Sequence, residues 1–212
     1  SAYGGIVGFN RTVDLRTVQA MKGVFYEVVV APDYEPEALS LLKKRRNLRV
    51  LKMSSFHDGG EEYDIRLVNG GILVQTHDQG TDDSLDWKIV TYRVPDDNDM
   101  KDLIFAWKAV KHVKSNAILL AKDSSILGIG AGQPNRVNSV DLALRGAGDR
   151  SVDSVMASDA FFPFPDNVDA AAGGGVKAII QPGGSIRDQE SIDAVNRHNM
   201  IMVFTGKRHF KH

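Results

Sequence analysis

Apolar and polar positions along the chain switch between a period of two and a period near three and a half, and the switches predict its elements. Residues 4–9 are a glycine-rich apolar strand entry. Asp14 caps a short helix running through Val18 and Met21. The β-branched and aromatic run at 25–30 predicts a strand. Pro36 suits the first turn of a helix over 35–45, and 48–53 reads as a further short strand. Residues 56–60 are loose and polar, and strand-like material at 63–76 is broken by the turn signal Asn69-Gly70-Gly71. The stretch 77–86 is acidic and poor in apolar residues, which marks it as a linker or an exposed excursion with a subdomain boundary near it.

The alternation then repeats. Residues 87–92 read as a strand, and after Pro95 the span 97–111 puts Leu103, Ile104, Trp107 and Val110 on one helical face. Residues 116–121 have a buried-strand pattern, 127–132 are rich in glycine, and 135–145 read as a helix. A strand at 176–180, a helix at 188–197 and a strand at 200–204 follow. Repeated β-α-β order predicts an α/β fold with helices packed on a sheet. Such folds gather their sites on loops at strand ends.

Composition narrows the class. The 212 residues, 42% hydrophobic, can bury one large core or two small ones. The formal net charge is −1, and the densest basic cluster, Lys43-Lys44-Arg45-Arg46, suits the C-terminal end of a helix. A nucleic-acid contact would need a wider basic face, so no nucleic-acid partner is expected. There is no cysteine, which excludes disulfides and Cys-ligated zinc and fits a cytoplasmic protein. No apolar run approaches the ~20 residues of a membrane span. The chain begins at Ser1 rather than Met, as a piece of something longer would.

Several segments have a chemical look. Gly128-Ile129-Gly130-Ala131-Gly132 reads either as an anion cradle at a helix N-terminus or as a tight turn, and it is not the dinucleotide fingerprint. Pro182-Gly183-Gly184-Ser185 offers the same two readings, while Gly173-Gly174-Gly175 reads as a helix C-cap. Residues 158–166 combine three phenylalanines, two prolines and two carboxylates. That stiff loop serves either to stack a planar heterocycle or as an aromatic plug. The basic C-terminus either frays or docks, and a docked Arg208 could grip a phosphate or carboxylate in bidentate fashion. The histidines form no metal-ligand spacing.

Eight segments recur together in one order: Ser1-Ala2-Tyr3-Gly4-Gly5, Glu27-Val28-Val29-Val30-Ala31-Pro32, Phe105-Ala106-Trp107-Lys108, Lys114-Ser115-Asn116-Ala117, Gly128 to Gln133, Ser158 to Asp166, Gln181 to Asp188, and Arg208-His209-Phe210. Together they resemble the C-terminal part of the AICAR transformylase region of the bifunctional purine enzymes that also carry IMP cyclohydrolase. The resemblance implies two cytidine-deaminase-like α/β subdomains with a mixed sheet flanked by helices, the first partial over 1–82 and the second complete over 83–212. It implies formyl transfer from 10-formyltetrahydrofolate to AICAR. The alternative is a non-catalytic nucleotide- or folate-binding module of the same fold.

Residue by residue, the resemblance places Gly4, Glu27, Asn116, Arg136, Phe161, Arg208 and Phe210 at the AICAR site, with Asn116 near the reacting amine. It places Val137, Asp166, Ser185 and Ile186 at the folate, with Asp166 reading the pterin, and it places Asp159 near a potassium ion. It implies a homodimer with shared active sites. The family's Lys-His pair, in a Lys-His-x-Asn-Pro-Cys-Gly motif, is expected to precede Ser1. That motif is not among these residues, which include no cysteine, and Lys111-His112 does not substitute for it. Two positions depart from the pattern. Pro165 stands where the family often has arginine, and Pro134 follows Gly-Ala-Gly-Gln.

Overall fold

The computed structural model describes residues 3–53, 63–78 and 86–211. The chain divides into two compact units, Ser1–His77 and Asp78–His212. The loose stretch expected at 56–60, with His57, and the boundary expected between Asp82 and Asp83 lie outside the described residues.

The smaller unit is a parallel sheet with two helices. Strands β1 (Gly5–Gly8), β2 (Tyr26–Ala31) and β3 (Arg49–Lys52) pair in that order. Helices α1 (Leu15–Ala20) and α2 (Pro36–Lys43) make the crossovers. Asp14 caps α1 by accepting from the Thr17 amide at 2.7 Å, as the sequence predicts. Val18, Val29, Ala31, Ala38 and Leu42 form a small closed core. The Asn69-Gly70 turn joins β4 (Tyr63–Val68) to β5 (Gly71–Thr76) in an antiparallel hairpin.

The larger unit carries a mixed six-stranded sheet. Its strands are β6 (Lys88–Ile89), β7 (Ile118–Lys122), β8 (Ser125–Gly130), β9 (Val155–Ser158), β10 (Ala178–Gln181) and β11 (Ile201–Phe204), in the order β6-β11-β10-β9-β7-β8. Strands β9, β10 and β11 are parallel, while β6, β7 and β8 pair antiparallel to their neighbours. Helix α3 (Asp97–Val110) covers one face, and α4 (Arg136–Ala147), α5 (Asp166–Gly173) and α6 (Asp188–Arg197) cover the other. Strand β7 shows why both faces are apolar. Leu119 and Ala121 pack with α3, and Ile118 and Leu120 pack with α4. A sheet covered on both sides needs continuous apolar strands rather than alternating ones.

Helix α3 is half-buried where the pattern put Ile104 inside; Asp102 and Ala106 share the buried face instead. Asp102 has a structural reason to be there. Its carboxylate accepts from the amides of Asp123 and Ser124 at 2.9 and 2.8 Å, in the β7–β8 turn, where both residues have positive φ. Replacing Asp102 by alanine strands two amides at a strained turn and is expected to lower stability by about 1–3 kcal/mol. A denaturant midpoint unchanged from wild type would show that the turn holds without it. Among the described residues no helix is long and apolar enough to cross a membrane.

Candidate functional site

The topology of the larger unit brings five loops to one edge of its sheet. The carboxyl ends of β8, β9, β10 and β11 all lie there, beside the start of β7, because Ile118 pairs with both Gly130 and Ser158. Those loops hold Asn116, residues 131–136, 159–166, 182–187 and 205–211. Ligands of α/β proteins bind at such carboxyl ends.

At the centre is a buried polar network. Asp159 is fully buried, and Arg136, the first residue of α4, is 6% exposed. Arg136 Nη1 forms an ion pair with Asp159 and donates to Ser158 Oγ at 2.8 Å. Its Nη2 donates to Asn116 Oδ1 at 2.8 Å. The Asn116 amide nitrogen donates to the carbonyls of Gln133 and Pro134 at 2.8 and 3.2 Å. Ser139 Oγ donates to the Asn116 carbonyl at 2.8 Å. Both amide protons of Asn116 are thus engaged, and its Oδ1 keeps one lone pair for a further donor. Asn116 can therefore accept one more hydrogen bond and has no proton left to donate.

The glycine-rich stretch before α4 is not an anion cradle. Gly128 and Gly130 lie inside β8, where an added Cβ would meet the carbonyls of Ala143 and Ser139 at 2.0 and 1.9 Å. They let α4 lie directly on the strand, which seats Arg136 and Ser139 beside Asn116. Only Gly132, at φ +67°, makes a turn.

The phenylalanine loop divides its labour. Phe162 is fully buried and is the aromatic plug. Phe161 and Phe164 are more open, and each carries an arginine over its ring: Arg208 over Phe161 at 4.8 Å and Arg187 over Phe164 at 4.9 Å. The C-terminal segment docks. The His209 amide donates to the Asp159 carbonyl at 2.9 Å, and the Ser115 amide donates to the Lys211 carbonyl at 2.9 Å. Arg208 and Phe210 stay exposed, and the Arg208 guanidinium lies beside Gly184, whose φ is +92°. Gly174 caps the end of α5.

The expected folate residues are spread along the same edge. Asp166 opens α5 and is exposed, its Oδ1 accepting from the Asn167 amide at 2.8 Å. Ser185 is half-buried and accepts at its Oγ from the Arg187 amide, and Ile186 is fully exposed. Val137 is half-buried on the first turn of α4.

Gly4 and Glu27 belong to the smaller unit, at the amino ends of β1 and β2. A Cβ on Gly4 would come within 3.3 Å of the Glu27 carboxyl group. Glu27 lines a cavity of about 470 Å³ with Phe25, Arg46, Asn47, Leu48 and Arg49. The sequence reading missed Arg46 and Arg49 there, because a basic run after a helix looks like a solvated helix end.

Asp159, expected near a potassium ion, has both carboxylate oxygens engaged. Arg136 balances its charge, and its second oxygen accepts from Ser115 Oγ at 2.6 Å. Among the described residues no group of three or more His, Cys, Asp or Glu could hold a metal ion.

The larger unit is thus an α/β sheet with a buried Arg–Asp pair holding an asparagine at its carboxyl edge, and comparison with known proteins gives the family. The model of the AICARFT/IMPCHase bienzyme family matches residues 1–146. The bifunctional purine biosynthesis protein purH of Dictyostelium discoideum is 52% identical over 219 residues, covering 100% of this chain and 40% of that protein. The bifunctional purine biosynthesis protein PurH of Thermoanaerobacter sp. (strain X514) is 52% identical over 212 residues, covering 100% and 41%. The chain belongs to the AICARFT/IMPCHase bienzyme family. It spans about two fifths of the length of these relatives. Among solved structures, Acinetobacter baumannii RibD (form 2) aligns at a TM-score of 0.33 and 16% identity, over 49% of this chain and 33% of that one, too distant to carry an argument.

Proposed function

We propose that this chain is the substrate-holding part of an AICAR transformylase, built from two cytidine-deaminase-like subdomains. It acts in purine biosynthesis on AICAR and 10-formyltetrahydrofolate. The observation that carries the reading is Asn116: its amide is fixed by Arg136, Gln133 and Pro134, and its remaining lone pair is an acceptor at the sheet edge where ligands bind.

The chemistry explains the need. The AICAR amine is a weak nucleophile, its lone pair delocalised into the ring and the carboxamide. It must be oriented toward the formyl carbon and lose a proton as it attacks, which requires a general base. Asn116 accepts from the amine N–H and aims the nitrogen. Phe161 and Phe210 flank the imidazole, and Arg208 meets the anionic end of the nucleotide. Arg136 serves the same site by holding Asn116. Gly4 and Glu27 are further AICAR residues of the smaller unit. Asp166 accepts from the pterin's ring N–H groups, and Val137, Ser185 and Ile186 line the folate. The proton-moving Lys-His pair belongs to a motif these residues do not include. The active assembly is a cytoplasmic homodimer with shared sites, and the exposed apolar side chains of the β4–β5 hairpin, among them Ile65, Leu67, Ile72 and Val74, are surface of the kind that assembly buries.

The test is a pair of titrations and a turnover assay. The 212-residue chain is expected to bind both ligands and to transfer no formyl group. Asp166→Ala is expected to weaken folate binding about tenfold or more, the loss of a charge-assisted hydrogen-bond acceptor, and to leave AICAR binding within about twofold. Equal loss for both ligands would remove Asp166 from the folate site. Substantial turnover would refute the view that the proton is moved from outside this chain.

A further inference from the structure

His209 is a buried imidazole between two exposed site residues. It is 2% exposed, while Arg208 and Phe210 on either side are open. Its ring lies 4.5 Å from that of Trp107 on α3, and its Nδ1 donates to Asp78 Oδ2 across 2.6 Å. Asp78 is the first residue of the larger unit. It comes from the opposite end of that unit's sequence, 131 positions away.

The segment 205–211 follows the last strand and forms no helix or strand of its own. A chain end of that kind frays unless something ties it down. Backbone hydrogen bonds to Asp159 and Ser115 are one tie. The imidazole is the other, because it drives a side chain into the apolar layer against Trp107. A buried imidazole N–H is stable there only with an acceptor, and the Asp78 carboxylate supplies one. The Arg208 guanidinium is thereby held over Phe161, which gives it a fixed place at the sheet edge.

We infer that the Asp78–His209 pair is the anchor that sets Arg208 and Phe210 for the anionic end of a nucleotide, so that both members of the pair are positioning residues. The inference rests on the nucleotide reading of the site given above. Asp78 is the residue to change: its side chain is 42% exposed, so its loss opens no cavity in the core.

The experiment compares the chain with its Asp78→Ala and Asp78→Asn variants. It uses amide hydrogen exchange without ligand, then calorimetric titration with AICAR and, separately, with tetrahydrofolate. In Asp78→Ala the amides of His209 and Lys211 are expected to exchange about tenfold faster, while those of β9 and β10 keep their protection. AICAR affinity is expected to fall about tenfold and folate affinity to change less than about twofold, the loss of one buried hydrogen bond felt on one side of the site. Asp78→Asn keeps an acceptor for the imidazole and is expected to stay near wild type in both readouts. Unchanged exchange at 209 and 211 in Asp78→Ala would overturn the anchor. Equal weakening of AICAR and folate would overturn its restriction to the nucleotide side. An unsubstituted chain that takes up no AICAR would instead overturn the nucleotide reading, leaving the exchange result to judge the anchor by itself.

Discussion

Arg136→Met is expected to destabilise the larger unit by about 3–5 kcal/mol, the range for removing one partner of a buried ion pair. The reason is what it leaves behind. Asp159 is fully buried, and without Arg136 its carboxylate retains the Ser115 hydroxyl but no countercharge. Ser158 Oγ and Asn116 Oδ1 lose the same donor. Arg136→Lys is not expected to rescue it, because one ammonium cannot reproduce a planar fork that reaches Asp159, Ser158 and Asn116 together. The double variant Arg136→Met with Asp159→Leu is expected to recover part of the loss, since it removes both charges and restores apolar contact. Denaturant unfolding of the three variants decides the matter. A loss below about 1 kcal/mol in Arg136→Met would put the pair in the class of solvated surface bridges. The single variant should also lose AICAR affinity beyond what instability explains, because Asn116 Oδ1 loses the donor that fixes it and only the Gln133 and Pro134 carbonyls still hold the carboxamide.

The helices and strands with strong periodic patterns were legible in the sequence. Helix α6 was predicted at its observed span, and α3 to within a residue at its end. The missed elements have physical reasons. Strand β9 is four residues, Val155 to Ser158, buried on both sides at the middle of the sheet. So short a segment gives no period to count, and a polar, glycine-containing stretch precedes it. Helix α5 was visible only by its glycine end, since its run of small alanines packs without a large apolar stripe. Strand β6 shrank from six expected residues to Lys88–Ile89, because it is an edge strand paired on one side only.

The candidate site was legible as residue identities and not as geometry. The family resemblance supplied Arg136, Asn116, Asp159 and Arg208 by number. Periodicity could not show that Arg136 turns inward to Asp159 while Arg208 turns outward over Phe161. Both are arginines beside aromatic or carboxylate neighbours, and only the fold decides which is desolvated. His209 was invisible for a similar reason. Its partner Asp78 is 131 positions away, and no local pattern records so distant a contact.

Gly130→Ala carries the second large effect, and it reaches the site through packing alone. The new Cβ would sit 1.9 Å from the Ser139 carbonyl oxygen and 2.7 Å from the Ser139 Cα. Those are backbone atoms of α4, so no side chain can swing aside. Relief requires the helix to back away by about 1.4 Å, the gap to the ~3.3 Å at which a carbon rests against a carbonyl oxygen. Overpacking of this kind costs about 1–3 kcal/mol and occasionally more, and with the helix backbone itself in the way the upper end, about 3 kcal/mol, is expected. The shift also pulls Ser139 Oγ from the Asn116 carbonyl and Arg136 from Asp159, so AICAR affinity should fall with stability. Gly132→Ala is the control. Gly132 has φ +67°, and an added Cβ would meet only the flexible Lys114 side chain at 3.9 Å, so alanine there should cost only the left-handed backbone penalty of about 1–2 kcal/mol. Unfolding midpoints and AICAR titrations of the two variants separate the causes. If Gly130→Ala proves no worse than Gly132→Ala, the close approach of α4 to β8 is not what seats Arg136, and the network must be held from the Asp159 side.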